Sequence, residues 1–170
     1  MPGPCRKRTT VLPISEKTLR TSFVNASRKE TSDLTLPADF ETIDWDALDY
    51  LGWRDPKIGR RAYAVVPTLD GELVGILFRQ AEASSRSRAQ CSWCQDVKLP
   101  NDVVFYSAKR SGKAGRNGNT VGTLVCQDFQ CSRNVRKLPP PAYEGYDVEA
   151  TRLQRIEDLQ RRAASFAAEV

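Results

Sequence analysis

The chain has 170 residues, of which 40% are hydrophobic and 28% charged, with a net charge of +5 and no histidine. That length can bury one hydrophobic core, and ten glycines and ten prolines argue against disorder along the whole chain. Without histidine the commonest general base and the commonest catalytic zinc ligand are missing, which disfavours an enzyme, and the surplus of cations points to an acidic partner, nucleic acid or protein.

Residues 1–12 read as a disordered basic tail. They lack the apolar stretch of a signal peptide, and no run of eighteen apolar residues follows, so the cytoplasm is the expected location, with no membrane contact. In that compartment five cysteines favour metal binding or free thiols over disulfides, and Cys5, in the tail, is the odd one out.

Residues 13–60 are expected to form an N-terminal helix and an acidic aromatic segment packed on the main domain. Ser15 is a good N-cap, and Ile14 and Leu19 have the spacing of a hydrophobic staple, so a short helix should run to about Asn25, with Ser27–Asp33 a loop. Between Asp39 and Asp55 six carboxylates alternate with Phe40, Ile43, Trp45, Leu48, Leu51 and Trp53. The aromatic residues are expected to anchor the segment while the acids face water or offset the basic half.

Residues 61–140 carry two pairs of β-rich runs. Tyr63–Val66 and Leu73–Phe78 flank Asp70-Gly71, a strong hairpin turn. Glu82–Gln90 should be a mobile loop. Val103–Ala108 and Thr120–Val125 form the second pair, joined by the basic, glycine-rich stretch Lys109–Asn119. A short helix over Asp128–Lys137 should stop before the prolines at 139–141. In residues 141–170 a linker precedes a helix over about Val148–Ala168, whose stripe Leu153, Ile156, Leu159, Ala163 and Phe166 is expected to pack on the domain rather than on a partner helix.

The cysteines fall as Cys91-x-x-Cys94, then 31 residues, then Cys126-x-x-x-x-Cys131. Two short-spaced pairs far apart in sequence suit one tetrahedral zinc ion, and a knuckle, a hairpin and a helix bearing the last ligand make a treble clef. A redox pair at Cys91 and Cys94, or buried free thiols, are the alternatives. The fold class is therefore α+β: a treble-clef zinc finger joined to an additional β-hairpin, with N- and C-terminal helices. Four thiolates would close the coordination shell, making the ion structural. Trp93, inside the knuckle, either packs over the zinc loop or anchors a partner.

No acid occurs between Val103 and Gln127, whereas Lys109, Arg110, Lys113 and Arg116 sit among glycines, and Arg133, Arg136 and Lys137 follow on the short helix. Ser111-Gly-Lys-Ala114 is no P-loop, because Ser107 replaces the first required glycine and Ala114 the last hydroxyl residue. The loop can instead present amides and cations to a carboxylate or phosphate surface.

Three stretches, Asp49–Pro56, Ala108–Thr123 and Cys126–Arg136, resemble the elongation factor G-binding proteins of the FusB type, in the shorter form common in actinobacteria. The likeness spans about residues 15–165. It implies a treble-clef finger with Cys91, Cys94, Cys126 and Cys131 as zinc ligands, and it places Lys109, Arg110, Lys113, Arg116 and Arg133 in the region facing the partner. Arg136 joins these candidates by its position on the finger helix.

The partner implied is elongation factor G, whose release or turnover on the ribosome a monomeric, non-enzymatic protein would modulate, with fusidic acid tolerance as an extension. The chain is shorter at its N-terminus than the better-known members, which bears on resistance more than on factor binding. The rival function is an RNA- or ribosome-binding module using the same basic loop on ribosomal RNA.

Overall fold

The computed structural model describes residues 13–82, 89–96, 98 and 101–170. The basic tail with Cys5, and most of the segment expected to be a mobile loop, lie outside the described residues. Five strands form one antiparallel meander: β1 (Leu51–Arg54), β2 (Arg61–Pro67), β3 (Leu73–Gln80), β4 (Val103–Lys109) and β5 (Thr120–Cys126), neighbours in that order. The helices are α1 (Glu16–Thr21), α2 (Arg28–Ser32), α3 (Gly112–Arg116), α4 (Cys131–Arg136) and α5 (Val148–Glu169).

The β1–β3 part of the sheet is covered on both faces, and β2 shows why. Ala62, Ala64 and Val66 alternate with Tyr63 and Val65, and all five are buried. Since strand side chains alternate between faces, each set belongs to a different core. Ala62, Ala64 and Val66 join Ile76, Phe78, Tyr106 and Val125 beneath α5 and the cysteines. Tyr63 and Val65 join Leu51, Trp53 and Leu77 beneath Leu19, Leu34 and the half-buried Phe23, Phe40, Ile43, Trp45 and Leu48. The α5 stripe packs inward as expected through Ile156, Leu159, Ala163 and Phe166, while Leu153 stays half-exposed.

The N-terminal segment departs from expectation in three places. Helix α1 begins at the Ser15 cap, whose hydroxyl accepts from Thr18 N at 3.2 Å, and Ile14 packs against the cluster to which Leu19 belongs. It stops at Thr21 rather than near Asn25 because β3 takes over the backbone: Gly75 N donates to Ser22 O at 2.9 Å and Val24 N to Gly75 O at 3.0 Å. Gly75 permits this approach, since a Cβ there would lie 2.6 Å from Ser22 Oγ. The expected loop at Ser27–Asp33 is helix α2, started by a capping box in which Ser27 and Glu30 satisfy each other's backbone N–H. The third departure is β1, which forms inside the acidic aromatic segment.

β1 pairs with β2 from Leu51↔Val65 to Arg54↔Ala62, and Gly52 faces Phe129 so closely that a Cβ would come within 2.5 Å of its ring. Two of the acids here do not face water. Asp49 is 2% exposed and Asp55 4%. Asp49 receives Arg136, Gln160 Nε2 at 2.8 Å and, on its backbone N–H side, the Ser132 hydroxyl as acceptor at 2.9 Å. It thereby ties the N-terminal segment to α4 and α5.

Both expected hairpins form. The β2–β3 turn uses Gly71 at φ 87°, and the β4–β5 connection contains α3, entered through Gly112 at φ 62°. They fuse through the short ladder Arg79↔Ser107 and Gln80↔Tyr106, extended by Ala81 N donating to Phe105 O at 2.9 Å. Beyond that point β3 and β4 diverge, and Asn25 bridges the split: its Nδ2 donates to Leu77 O and Lys109 O, both at 3.0 Å, and its Oδ1 accepts from Leu77 N at 2.8 Å.

Asp55 accepts from Tyr63 Oη at 2.6 Å, Lys57 N at 2.8 Å and Ile58 N at 3.1 Å. Burial raises its pKa, but these donors favour the charged form and leave it below the ordinary value. A carboxylate with a lowered folded-state pKa contributes stability above its unfolded value, about pH 4, and that contribution vanishes as pH falls through the folded value. Asp55→Asn is therefore expected to flatten the acid limb of stability against pH, measured by urea unfolding between pH 2.5 and 7; an unchanged limb would place the acid sensitivity elsewhere.

Candidate metal centre and contact surface

Three segments bring four sulfurs to one point. The first is the knuckle after β3, where Gln95 N donates to Cys91 O at 2.9 Å and Gln95 takes φ 52°, so that Cys91 and Cys94 turn the same way. Ser92 N donates to Leu124 O at 2.8 Å, pinning the knuckle to the edge of β5. The second is the end of β5, Cys126, followed by a turn through Phe129 at φ 56°. The third is the first residue of α4, Cys131.

All four cysteines are buried and free of disulfides, and their Sγ atoms lie within 4.8 Å of one another. Cys91 and Cys131 are 3.6 Å apart and Cys94 and Cys126 3.7 Å. Bonds of about 2.3 Å to a central zinc ion in a tetrahedron give sulfur–sulfur edges of about 3.8 Å, so the donor set fits zinc in identity and size. The four residues expected as ligands are brought together, positioned to hold one structural zinc ion.

Thiols packed this closely cannot all ionise without a cation. Hydrogen bonds from Cys126 and Cys131 hold the Cys91 thiol far below its ordinary range, whereas burial pushes Cys131 far above it. One thiolate is thus stabilised at its neighbours' expense, and a dication is what favours four. Asn134, fully buried on α4, points its Nδ2 at Cys126 Sγ at 3.5 Å and at Asn101 Oδ1 at 3.1 Å, the kind of outer partner that orients a ligand. Nothing in the spacing of the cysteines marks this residue.

The centre is joined to the core by aromatic rings. Trp93 is 1% exposed and meets Tyr50 edge-on at 4.9 Å, with Phe166 of α5 at 5.8 Å. It is therefore a core residue and not an exposed anchor for a partner. Arg155 of α5 reaches Asp96 beside the knuckle at 3.1 Å and Asn134 O at 3.4 Å, and Arg162 reaches Trp93 O at 3.3 Å.

The candidate partner-binding cations divide into two groups. Lys109, Arg110 and Arg116 line a cleft of about 490 Å³ between the Val24–Ser27 segment and α3, whereas Lys113, exposed on α3, is not part of its lining. Arg110 is half-buried: its guanidinium holds Glu169 O, and Ser111 N holds Val170 O, so the end of α5 braces the loop. Gly115 allows α3 to fold back, since a Cβ there would fall 1.7 Å from Arg110 O.

Arg133 and Arg136 lie apart from these, along a second groove of about 570 Å³ shared with Asp39, Asp44 and Asp128. Arg133 is exposed, whereas Arg136 is committed to Asp49 and to Ser132 O at 2.9 Å.

Knuckle, hairpin and cysteine-bearing helix define a treble-clef zinc-finger protein. The chain belongs to the family described as the FBP C-terminal treble-clef zinc-finger, which matches residues 18–170 and bears out the family resemblance of the sequence. No curated protein matches the chain in sequence. Among solved structures the fusidic acid resistance protein FusC is similar in fold, with a TM-score of 0.53 and 22% identity, over 71% of this chain and 52% of that one. This chain thus spans about half the length of that protein.

A structural zinc site of this kind contributes roughly 10 to 16 kcal/mol, comparable to the stability of a whole small domain. Cys131→Ser is expected to lower the zinc content below one ion per chain and to abolish cooperative thermal unfolding, measured by metal analysis and circular dichroism; full stoichiometry with an unchanged melting curve would remove Cys131 from the ligand set.

Proposed function

We propose that this is a non-enzymatic cytoplasmic protein that acts as a monomer, binds elongation factor G and modulates its release or turnover on the ribosome, with tolerance to fusidic acid as a consequence. Membership of the treble-clef family over residues 18–170 carries this reading. The fold shared with a protein titled for fusidic acid resistance supports it.

The chemistry of the chain is compatible with binding rather than turnover. Four thiolates fill a tetrahedral zinc and leave no position for water or substrate. Among the described residues no helix is long and apolar enough to cross a membrane. The basic loop is held between β4, β5 and the end of α5, so Lys109, Lys113 and Arg116 are presented on a rigid support. Cations so placed steer an acidic partner and set its association rate.

The same cations favour ribosomal RNA as the alternative partner, and a direct comparison separates the two. In a pull-down at about 0.15 M salt, the purified zinc-replete chain is expected to capture elongation factor G and not bulk ribosomal RNA. Lys113→Glu with Arg116→Glu is expected to weaken capture of the factor while leaving zinc content unchanged. Capture of RNA alone would sink the proposal, and wild-type capture by the double variant would remove α3 from the interface.

A further inference from the structure

Among the described residues, none packs over the outer face of the β4–β5 half of the sheet as the N-terminal segment does over β1–β3. The N-terminal segment covers β1, β2 and β3 on that side, but β4 leaves β3 beyond Ser107 and carries its own outward face into solvent. Phe105, Ser107 and Lys109 of β4 lie opposite Leu124, Gly122 and Thr120 of β5. Successive outward residues on a strand stand about 7 Å apart, so Phe105, Ser107 and Lys109 form a continuous row.

Phe105 is 45% exposed, although Tyr106 and Ala108 of the same strand are buried in the core. The end of its ring occupies the space over Gly122, where a Cβ would fall 2.1 Å from the ring tip. Glycine at 122 thus gives an exposed aromatic ring a fixed seat. The row then runs into the cleft at the split of the sheet, which contains Val24, itself 42% exposed, and the cations Arg79, Lys109, Arg110 and Arg116 against one carboxylate, Glu30. An exposed aromatic on a rigid support beside desolvatable cations is the composition of an interface anchor with a charged rim.

We infer that the surface that receives the protein partner is this outer β4–β5 face, with Phe105 seated on Gly122 as the apolar anchor and Arg79, Lys109 and Arg116 as the rim. The inference rests on the elongation factor G reading and deepens it by excluding the finger-helix groove around Arg133. The complementary patch on the partner is apolar at its centre and carboxylate-rich at its edge. Charge decides this: the cleft has four cations to one acid, whereas the Arg133 groove mixes Arg133 and Arg136 with Asp39, Asp44 and Asp128. A protein partner fits better than single-stranded nucleic acid, which stacks successive bases on several aromatic rings, because Phe105 stands alone in its row.

The test is the kinetics of elongation factor G binding to the full zinc-loaded chain, by biolayer interferometry at 0.05 M and at 0.3 M salt, with polyuridine RNA as a parallel ligand. Phe105→Ala, exposed enough to leave zinc content and melting unaltered, is expected to weaken factor binding about tenfold or more through faster dissociation. Gly122→Ala, which lifts the ring without deleting it, should weaken it in the same direction. Lys109→Glu with Arg116→Glu should slow association and flatten its salt dependence, and Arg133→Glu should bind within about twofold of wild type.

Wild-type binding by both Phe105→Ala and the charge-reversal variant, or a loss confined to Arg133→Glu, would overturn the inference and leave factor binding standing. Failure of the wild-type chain itself to bind the factor would overturn both. Binding of polyuridine alone, lost in Phe105→Ala, would assign the face to RNA and overturn both as well.

Discussion

Four thiolates on three separate stretches of chain can share a small buried volume only around a cation, and that constraint organises the molecule. Cys91 and Cys94 bring in the knuckle, Cys126 the end of β5, and Cys131 the start of α4. Once they meet, Trp93 is delivered into the core against Tyr50 and Phe166, and α5 has a surface to lie on. Six-residue α4 and the four-residue turn of the knuckle would not hold their shape alone.

Around that centre the polar side chains form struts between segments. Asp49 receives Arg136 and Gln160, so one carboxylate joins β1's approach to α4 and α5. Arg155 does the same between α5, the knuckle and the end of α4. A buried ion pair adds little net stability, but removing one partner strands the other, so such pairs fix which segments lie together. The consequence for function is that the basic loop is mounted on a scaffold built outward from the metal: α5 packs on the core and its last carbonyls receive Arg110 and Ser111.

Much of this could be read in the residues. Paired cysteines announce a metal site, Asp70-Gly71 announces a turn, and the α5 stripe announces a buried face, because each reports on its own neighbourhood. What escaped depends on contacts distant in sequence. α1 ends early because Gly75 of β3 competes for its backbone, and Leu51–Arg54 becomes a strand because β2 is there to pair with it. Asp49 and Asp55 look like solvated acids until Arg136 and Tyr63 are placed beside them. The Ser27/Glu30 capping box was visible as a pattern, but no apolar stripe accompanies it in this short polar helix. Asn134 beside Cys126, and Phe105 over Gly122, needed the fold before they could be recognised.

Hydrogen exchange followed by mass spectrometry, on the zinc-loaded chain and after chelation, tests most directly whether the metal centre supports the fold and the loop it carries. If it does, chelation removes amide protection from α4, from α5 and from the 109–119 connection together with the knuckle, since Trp93, Arg155 and Arg110 link them. Loss of protection confined to residues 91–95 and 126–131, with α5 and the basic loop as slow to exchange as before, would show that the zinc stabilises only its own finger.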